Sequence, residues 1–490
     1  MDSTNGPVTS QITEFIARLT LADVPSSIRE TALLVILDVL GCLRGGSLTS
    51  LAPKIKAVSS VFGGPGQASC AGKAGAVGSS QALYVNSRLA NILDLDETWP
   101  IGCHHGIGVV CSAIAALETR INEGQSCSGS DLILGVVAGY EVASRLATAI
   151  GPIVRVRDGK IQDYAKVWGV AAPVVVGSCV AFMKTLNPTN ADTSMISHAL
   201  AIAVSNIPLP IGNRWSDDLE VADCKYDDAG WCSITGMHGV LSAMEGLTGF
   251  ANIFDGDVGI AEACGSEMAR KESLTEDLGK LWYMADVTFK PWPTCRWIQG
   301  PQTAFRRLLE KHHPKLEDVE EVVMFTNPVA DGLLFRNPAP TTFCGYSFSY
   351  SCAATAMLMK IPPGHKWFDP EIVESETALN LRKRVRVERM QGSEHFAKDM
   401  VRNEVRTLPG AVSLRTKQGQ VFTEKTSFSD GDPWDPSTRY DRAKVVDKFL
   451  VTVGSSDAQT LVDWIMNLEN AINFEPLSAF IQNDKERIKS

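Results

Sequence analysis

The chain has no Cys-x-x-Cys pair, no run of basic residues and no N-terminal arrangement of basic and then apolar residues. The missing basic run and a net charge of −10 exclude the electrostatic footprint of a nucleic-acid-binding protein. Its twelve cysteines are scattered, which is typical of reduced, buried thiols in an intracellular protein. Because residues 1–7 are polar and differ from a secretion signal, we expect a cytoplasmic protein.

The chain also lacks a hydrophobic run long enough for a transmembrane helix. The stretch from Val167 to Met183 is almost uncharged but falls just short of the length that a bilayer requires. Its small residues, such as Gly169 and Gly177, favour a helix that is buried on all sides, so we predict no membrane association. Signatures of Ser/His/Asp hydrolases and of P-loop proteins are absent as well.

The length and apolar content of the chain suffice for a large core. With 490 residues, of which 44% are hydrophobic and 21% charged, it is typical of a globular protein of two domains. The first half carries apolar stripes at helical spacing, and Gly45-Gly46 is predicted to end the helix that begins near Ser27. Later apolar, β-branched segments predict strands and a hairpin: residues 322–325, then Val385 and Val387, then Val412 and Leu414 before Gly419 and Val421.

These patterns predict a mainly α fold with a large all-helical domain and an inserted, smaller α+β domain. A turn-rich stretch at 430–436 marks the end of the insertion, and two amphipathic helices follow it. We therefore divide the chain into a helical domain of residues 1–285 plus 437–490 and an α+β domain of residues 286–436.

Residues 94–105 carry more proton-transfer chemistry than any other segment. Two of the eight histidines lie there close to three carboxylates and a hydroxyl. An imidazole titrates near neutral pH, and a nearby carboxylate can fix its tautomer and raise its basicity. Pro100 and Gly102 indicate a loop, so the segment predicts an acid/base site at a helix end and the loop after it. Its candidate residues are Asp94, Asp96, Glu97, Thr98, His104 and His105.

Six short segments together carry a family likeness. They are Ile36–Gly41, Asn91–His104, Lys225 eleven residues before Gly236, Lys290-Pro291-Trp292-Pro293 with Cys295, Tyr346–Tyr350, and Gly431-Asp432-Pro433 with Pro436. In this order they resemble the MmgE/PrpD family, which includes 2-methylcitrate dehydratase and cis-aconitate decarboxylase. Each motif alone is weak, but the six span nearly the whole chain.

The resemblance implies a lid-like role for the α+β domain, a homodimer, a small-molecule substrate, and neither a metal nor an organic cofactor. It also implies a catalytic site between the domains. His104 would take or return a proton next to a carboxyl group, Lys225 would hold a substrate carboxylate, and Tyr350 would donate a proton or a hydrogen bond. Asp94 and Thr98 would orient these groups.

Three positions depart from the family pattern. Asp163 and Gln299 stand where the family commonly has histidines, so the site loses two potential cations and gains an anion, which disfavours a tricarboxylate. His105 stands where the family often has proline, and all three are candidate substrate-binding residues. Several tryptophans fall in segments that would line the pocket, which favours a bulkier, more apolar substrate. The candidates are Trp99, Trp168 and Trp292.

Simpler roles stay open for some of these residues. Lys225 lies in an acidic stretch and could be a salt-bridge partner, Tyr350 could be a core tyrosine, and Asp163 could be a solvent-exposed loop charge. The carboxylates near His104 could ligate a divalent metal, but its neighbouring histidine is adjacent rather than at helical spacing, so we predict no metal site.

Three functions follow from the sequence, in order of preference. The first is a lyase of specialised metabolism that uses acid/base chemistry next to a carboxylate to dehydrate or decarboxylate a citrate-like or alkyl-citrate-like acid. The second is a family member repurposed as an isomerase or cyclase, including a pericyclic one, for a bulkier apolar substrate. The third is a non-catalytic binding protein.

Overall fold

The structure is a computed structural model that describes residues 6–482, with gaps. The gaps are residues 65, 67, 74, 101, 153, 158–159, 165–169, 190, 209–217, 226, 257–258, 265–269, 394–395, 397–399, 401–404 and 456–457. The predicted pocket residue Trp168 therefore lies outside the described residues. For Asp163 the structure describes the backbone alone.

Helices build the first part of the chain, and the predicted mainly α fold class is confirmed. They are α1 (Val8–Arg18), α2 (Ser26–Ser47), α3 (Ala52–Val58), α4 (Ser79–Asn91), α5 (Gly106–Asn122), α6 (Gly129–Ile150), α7 (Ala171–Leu186), α8 (Thr193–Ser205), α9 (Ala229–Met244) and α10 (Ile260–Ala263). A two-stranded antiparallel hairpin, β1 (Val154–Arg157) and β2 (Lys160–Tyr164), interrupts this helical part. The helical pattern did not predict this hairpin, which includes Asp163 paired with Arg155.

In helix α2 a glycine pair serves close packing near the end of the helix. The helix ends at Ser47, one residue after the predicted end at Gly45-Gly46. A Cβ atom on Gly46 would lie 2.0 Å from the carbonyl oxygen of Leu89 in α4. The absence of side chains at this pair therefore lets α2 approach α4, the helix that leads into the acidic segment.

Helices α6 and α7 form the centre of the helical part. Helix α6 is long and apolar enough to cross a membrane by length and composition, as is α2 if it is counted together with the bent segment Ala52–Phe62. All of α6 is buried inside the protein, as in the core helix of a globular domain. A Cβ on Gly139 would lie 2.6 Å from the carbonyl oxygen of Gly177, so α6 and α7 pack at close range.

The predicted strands near 322, 385, 412 and 421 form one four-stranded sheet. The elements of this part are α11 (Gln299–His312), β3 (Val319–Thr326), α12 (Leu333–Arg336), α13 (Phe343–Tyr346), α14 (Tyr350–Leu358), α15 (Pro370–Val373), α16 (Glu376–Arg382), β4 (Val385–Arg389), β5 (Gly410–Thr416) and β6 (Val421–Thr426). The strand order is β4-β3-β5-β6, with β3 parallel to β4 and antiparallel to β5. We refer to this part of the protein as the lid.

The last helices, α17 (Arg442–Val453), α18 (Ala458–Met466) and α19 (Glu475–Gln482), follow the lid. Helix α17 packs on α2, where Phe449 fills the space beside Gly41. In the same helix, Lys448 pairs with Asp38 at 2.5 Å and donates a hydrogen bond to the carbonyl oxygen of Leu95 at 2.7 Å. These contacts support our proposal that residues 437–490 belong to the helical domain.

Candidate active site

The acidic segment forms a loop between α4 and α5, as the sequence predicted. Asp94 follows the end of α4 with a left-handed backbone (φ 53°), which is unfavourable for a residue other than glycine. The loop is held by Thr98. Its N–H donates to the carbonyl oxygen of Thr288 at 2.9 Å, and its hydroxyl donates to the carbonyl oxygen of Cys103 at 3.1 Å. Thr98 therefore orders the backbone around the site, in line with the orienting role we predicted for it.

Lys225 reaches Asp94 from a distant part of the chain. It also has a left-handed backbone (φ 56°), and its N–H closes a tight turn to the carbonyl oxygen of Ala222 at 2.8 Å. Its ammonium group lies 2.7 Å from Asp94 Oδ1 and 2.9 Å from the carbonyl oxygen of Asn91. The alternative of a solvated salt bridge is wrong, because the side chain is buried in this contact.

Lys290 is a second cation at the same carboxylate, and the sequence analysis gave it no role. Its Nζ lies 3.6 Å from Asp94 Oδ1, and it donates a hydrogen bond to the carbonyl oxygen of Asp94. Its side chain is fully buried. The signal was present in the sequence, because Lys290 opens the Lys-Pro-Trp-Pro motif that contributed to the family likeness.

His104 completes the cluster. Its Nδ1 lies 3.1 Å from Asp96 Oδ2 and its Nε2 lies 3.9 Å from Asp94 Oδ1. A carboxylate at Nδ1 holds the ring orientation and favours a proton on that nitrogen, which leaves Nε2 to exchange protons with a bound molecule. We name Asp94, Asp96, His104, Lys225 and Lys290 the charged cluster.

The two aspartates of the charged cluster are held in the ionised form. Burial alone would raise the pKa of Asp94, but the charges of Lys225 and Lys290 outweigh it and lower the pKa. Burial would likewise raise the pKa of Asp96, but the charge and hydrogen bond of His104 lower it. Asp94 Oδ2 is buried and has no hydrogen-bond partner among the described residues, so it is available to accept a hydrogen bond from a ligand.

The third acid of the segment behaves differently. Glu97 accepts the N–H of Gly106 at 2.8 Å and a hydrogen bond from the hydroxyl of Tyr140. Burial raises the pKa of Glu97 to about 8, with smaller contributions from the nearby charges of Asp96 and Asp38. Glu97 is therefore a neutral structural acid at pH 7 rather than part of the charged cluster.

His105 also belongs to the packed interior. Its Nε2 lies 3.0 Å from the hydroxyl of Ser144, and its ring centroid lies 4.4 Å from that of Tyr140. Burial lowers the pKa of His105 to about 3, so the imidazole is neutral. These contacts do not support the predicted role of His105 in substrate binding.

Two predicted site residues of the lid make contacts elsewhere. The hydroxyl of Tyr350 is hydrogen-bonded to that of Thr326, and the ring packs near Phe335. The amide of Gln299 donates to the carbonyl oxygens of Trp292 and Thr294, at 3.2 and 2.9 Å. Within the described part of the chain the structure thus brings neither Tyr350 nor Gln299 into hydrogen-bond contact with the charged cluster.

Of the predicted pocket tryptophans, the two that the structure describes line other cavities. Trp99 packs against Tyr283 at 5.9 Å between ring centroids and borders a cavity of about 210 Å³ that Trp434 also lines. Trp292 borders a cavity of about 500 Å³ on the side of α17, next to Lys448. The predicted aromatic wall around the catalytic residues is therefore not supported for Trp99 and Trp292.

The charged cluster contains one group that meets the distance requirement of a metal site. Asp94, Asp96 and His104 each offer a ligand atom, and these atoms lie within 4.8 Å of one another. The ammonium of Lys225 is hydrogen-bonded to Asp94 Oδ1 at 2.7 Å, however, so it supplies the positive charge that a divalent cation would bring. The donor set is therefore better suited to holding lysine than to binding a metal.

The sequence matches two family models that together cover most of the chain. Residues 10–272 match the MmgE/PrpD N-terminal domain, and residues 292–469 match the MmgE/PrpD C-terminal domain. Four residues of the charged cluster lie in the first matched region, and Lys290 lies between the two regions, just before the second.

Curated proteins similar to the chain carry the name cis-aconitate decarboxylase. The protein of Aspergillus terreus is 24% identical over 316 residues, which are 63% of this chain and 61% of that protein. The chain thus spans about three fifths of the length of this relative. The protein of Mus musculus is 24% identical over 401 residues, which are 80% of this chain and 76% of that protein. The protein of Homo sapiens is 21% identical over 421 residues, which are 82% of this chain and 79% of that protein.

Proposed function

Because this chain belongs to the MmgE/PrpD family, we propose that it is a lyase that decarboxylates or dehydrates a citrate-like or alkyl-citrate-like acid by acid/base chemistry at His104. The observation that carries the proposal is the charged cluster, in which an imidazole paired with a carboxylate lies beside two lysines. The names of the relatives support the same reaction class.

The charges of the cluster select for a carboxylate ligand. Two ionised aspartates balance two lysines, so the cluster is neutral when His104 is neutral and carries one positive charge when His104 holds a proton. An incoming carboxylate would be attracted to the protonated form. Lys225 and Lys290 would hold the carboxylate, and Asp94 would position both ammonium groups.

The two candidate reactions need different forms of the imidazole, protonated for decarboxylation and neutral for dehydration. In a decarboxylation, the bond to the carboxyl carbon breaks, CO₂ leaves, and the electron pair that stays on carbon takes the proton from His104 Nε2. In a dehydration, neutral His104 removes a proton next to a carboxylate, hydroxide leaves from the adjacent carbon, and an acid returns a proton to it as water. One imidazole with a fixed Nδ1 can serve either route.

The isomerase or cyclase function gains no specific observation. It rested on the loss of two histidines and on aromatic walls, and the predicted pocket tryptophans Trp99 and Trp292 line other cavities. Binding without catalysis stays the third possibility and is an outcome of the test below. Homodimerisation and a cytoplasmic location also stay predictions, the first supported by exposed apolar residues on α9 such as Trp231 and Leu241, at 45% and 41% exposure.

Proton NMR in deuterated buffer tests the proposal. The purified protein is incubated separately with citrate, 2-methylcitrate, cis-aconitate and an alkyl-citrate. We expect one acid to be consumed and deuterium to enter its product next to a carboxylate. Absence of both conversion and exchange with all four acids would reject the lyase proposal. Tight binding without conversion would instead favour the non-catalytic function.

A further inference from the structure

The loop that carries Lys225 is fastened to the lid along residues 219–223. Successive groups in this strip bond to residues 337–344, which surround the start of α13. The bonds are Asn337 Nδ2 to the carbonyl oxygen of Leu219 (3.1 Å), the hydroxyl of Thr342 to the carbonyl oxygen of Val221 (2.5 Å), and the N–H of Cys344 to Asp223 Oδ1 (3.4 Å). This strip therefore joins the two parts of the chain immediately before Lys225.

Glu220 is the centre of this attachment. Its Oε2 accepts the N–H groups of Thr341 and Thr342 at 2.5 and 3.0 Å, and its Oε1 accepts the hydroxyl of Thr341 at 2.6 Å. A Cβ on Gly345 would lie 2.9 Å from Glu220 Oε2, so the carboxylate is packed directly against the lid backbone. Although burial would raise the pKa of Glu220, these hydrogen bonds lower it, and the carboxylate is ionised at neutral pH.

The other side of the loop is held by the helical domain. The guanidinium of Arg88 in α4 donates to the carbonyl oxygen of Asp223 and lies 3.7 Å from Asp228 Oδ2. Asp228 in turn caps α9, because its side chain accepts the N–H groups of the first turn. The residues after Lys225 are thus fixed to a helix, and Asp223 before it is held both by Arg88 and by Cys344 of the lid. The hydrogen bonds of residues 219–221 given above all go to the lid.

Lys225 is sensitive to how these two ends are held. Its left-handed backbone (φ 56°) is unfavourable for a lysine and persists only where the surroundings enforce it. Its ammonium must reach Asp94 Oδ1 and the carbonyl oxygen of Asn91 at the same time. Release of residues 219–221 from the lid would remove one of the restraints on that backbone.

We propose that Glu220 is a positioning residue that fastens the Lys225 loop to the lid and thereby sets the affinity of the site for a substrate carboxylate. The fastening is independent of which acid reacts, whereas the effect on affinity rests on the proposed function. The lid residues that hold Glu220 are not part of the charged cluster. The docking of the lid therefore affects carboxylate binding through the Glu220 side chain.

The test compares Glu220→Ala and Glu220→Gln with Glu245→Ala, which removes an exposed glutamate at the end of α9. The first readout is the rate at which an N-hydroxysuccinimide ester acetylates Lys225, followed by mass spectrometry and referred to Lys290 in the same sample. We expect Glu220→Ala to raise the ratio of the two rates about tenfold, since hydrogen bonds to a charged group are lost. Glu220→Gln keeps one acceptor oxygen, so its rate ratio should lie between those of Glu220→Ala and the unchanged protein. Glu245→Ala should have the same rate ratio as the unchanged protein.

The second readout is steady-state kinetics with cis-aconitate, or with whichever acid the protein consumes. Glu220→Ala should raise KM about tenfold and change kcat less than about twofold, because the loop acts on binding and not on proton transfer. An unchanged acetylation ratio, or equal increases at Lys225 and Lys290, would overturn the proposed fastening. A raised ratio with unchanged KM would overturn its link to affinity. If the unchanged protein consumes no acid, the proposed function fails while the acetylation ratio still decides the fastening.

Discussion

The charged cluster and the interior behind it use the same residue types from one short segment, yet they differ in charge. Lys225 and Lys290 hold Asp94 ionised, and His104 does most to hold Asp96 ionised. Glu97 and His105, one residue further along in each case, lie against Tyr140, and burial keeps both of them neutral. The neighbouring cations, and not the sequence of acids and histidines, therefore decide which side of the loop carries charge.

The largest effect should come from His104→Ala. Removing a general acid/base typically costs about 10²–10⁴-fold in rate, and we expect kcat to fall within that range. The measurement is the NMR assay on the acid that the unchanged protein consumes. His238→Ala, which removes an exposed histidine on α9, is the control and should leave kcat unaltered. A near-normal rate for His104→Ala would remove the functional side of the comparison.

Asp94→Asn tests the balance of charge within the cluster. It leaves the ammonium groups of Lys225 and Lys290 without their shared carboxylate, and breaking a buried ion pair costs about 3–5 kcal/mol. We expect the free energy of unfolding in urea at pH 7 to fall by that amount, with the exposed Asp447→Asn as control. The pKa of Asp94 is lowered in the folded protein, so its contribution is present above its ordinary value of 3.8 and is lost as pH falls below it. The free energies of unfolding of the unchanged protein and of Asp94→Asn should therefore approach each other only at acidic pH.

Glu97→Gln tests the neutral side. The folded protein holds a proton on Glu97 up to a pKa of about 8, against an ordinary value of 4.5, so the unfolded state binds fewer protons between these pH values. Stability should therefore decline as pH rises through this range, by on the order of 4 kcal/mol from this group alone. Glutamine cannot ionise and removes that part of the decline, which urea unfolding at pH 5 and pH 8 would show. Equal slopes in both proteins would mean that Glu97 is ionised in the folded state.

The sequence predicted the part of the site that is local in the chain. Acidic and imidazole groups within twelve residues had to lie near one another, and the loop around Gly102 formed as expected. Lys225 was predicted by family likeness, since 131 residues separate it from Asp94. The role of Lys290 was missed because its partner Asp94 lies 196 residues away and no spacing rule connects them.

Some patterns had a second physical explanation that the sequence did not show. Gly45-Gly46 predicted the end of α2 to within one residue, but its composition gave no sign of the close contact with Leu89 that the pair permits. Glu97 looks like its neighbouring aspartates until burial and Tyr140 are known. The fold class was predictable because apolar periodicity acts within each helix, whereas electrostatic roles depend on which helices meet.

Tyr350→Phe should have the smallest effect and tests whether this residue belongs with the cluster or with the interior. Its hydroxyl is bonded to that of Thr326, and burial raises the pKa of Tyr350, so the group stays a neutral phenol. If the tyrosine is structural, phenylalanine removes one buried hydrogen bond and lowers the free energy of unfolding by about 1 kcal/mol, with kcat unchanged within about threefold. If the lid shifts on substrate binding so that the hydroxyl exchanges Thr326 for the substrate, kcat should fall by about 10²-fold or more. Comparison with Thr326→Val, which removes the same hydrogen bond from the other side, separates the two cases: equal small losses in both variants place Tyr350 in the interior, while a loss of rate confined to Tyr350→Phe moves it into the catalytic site.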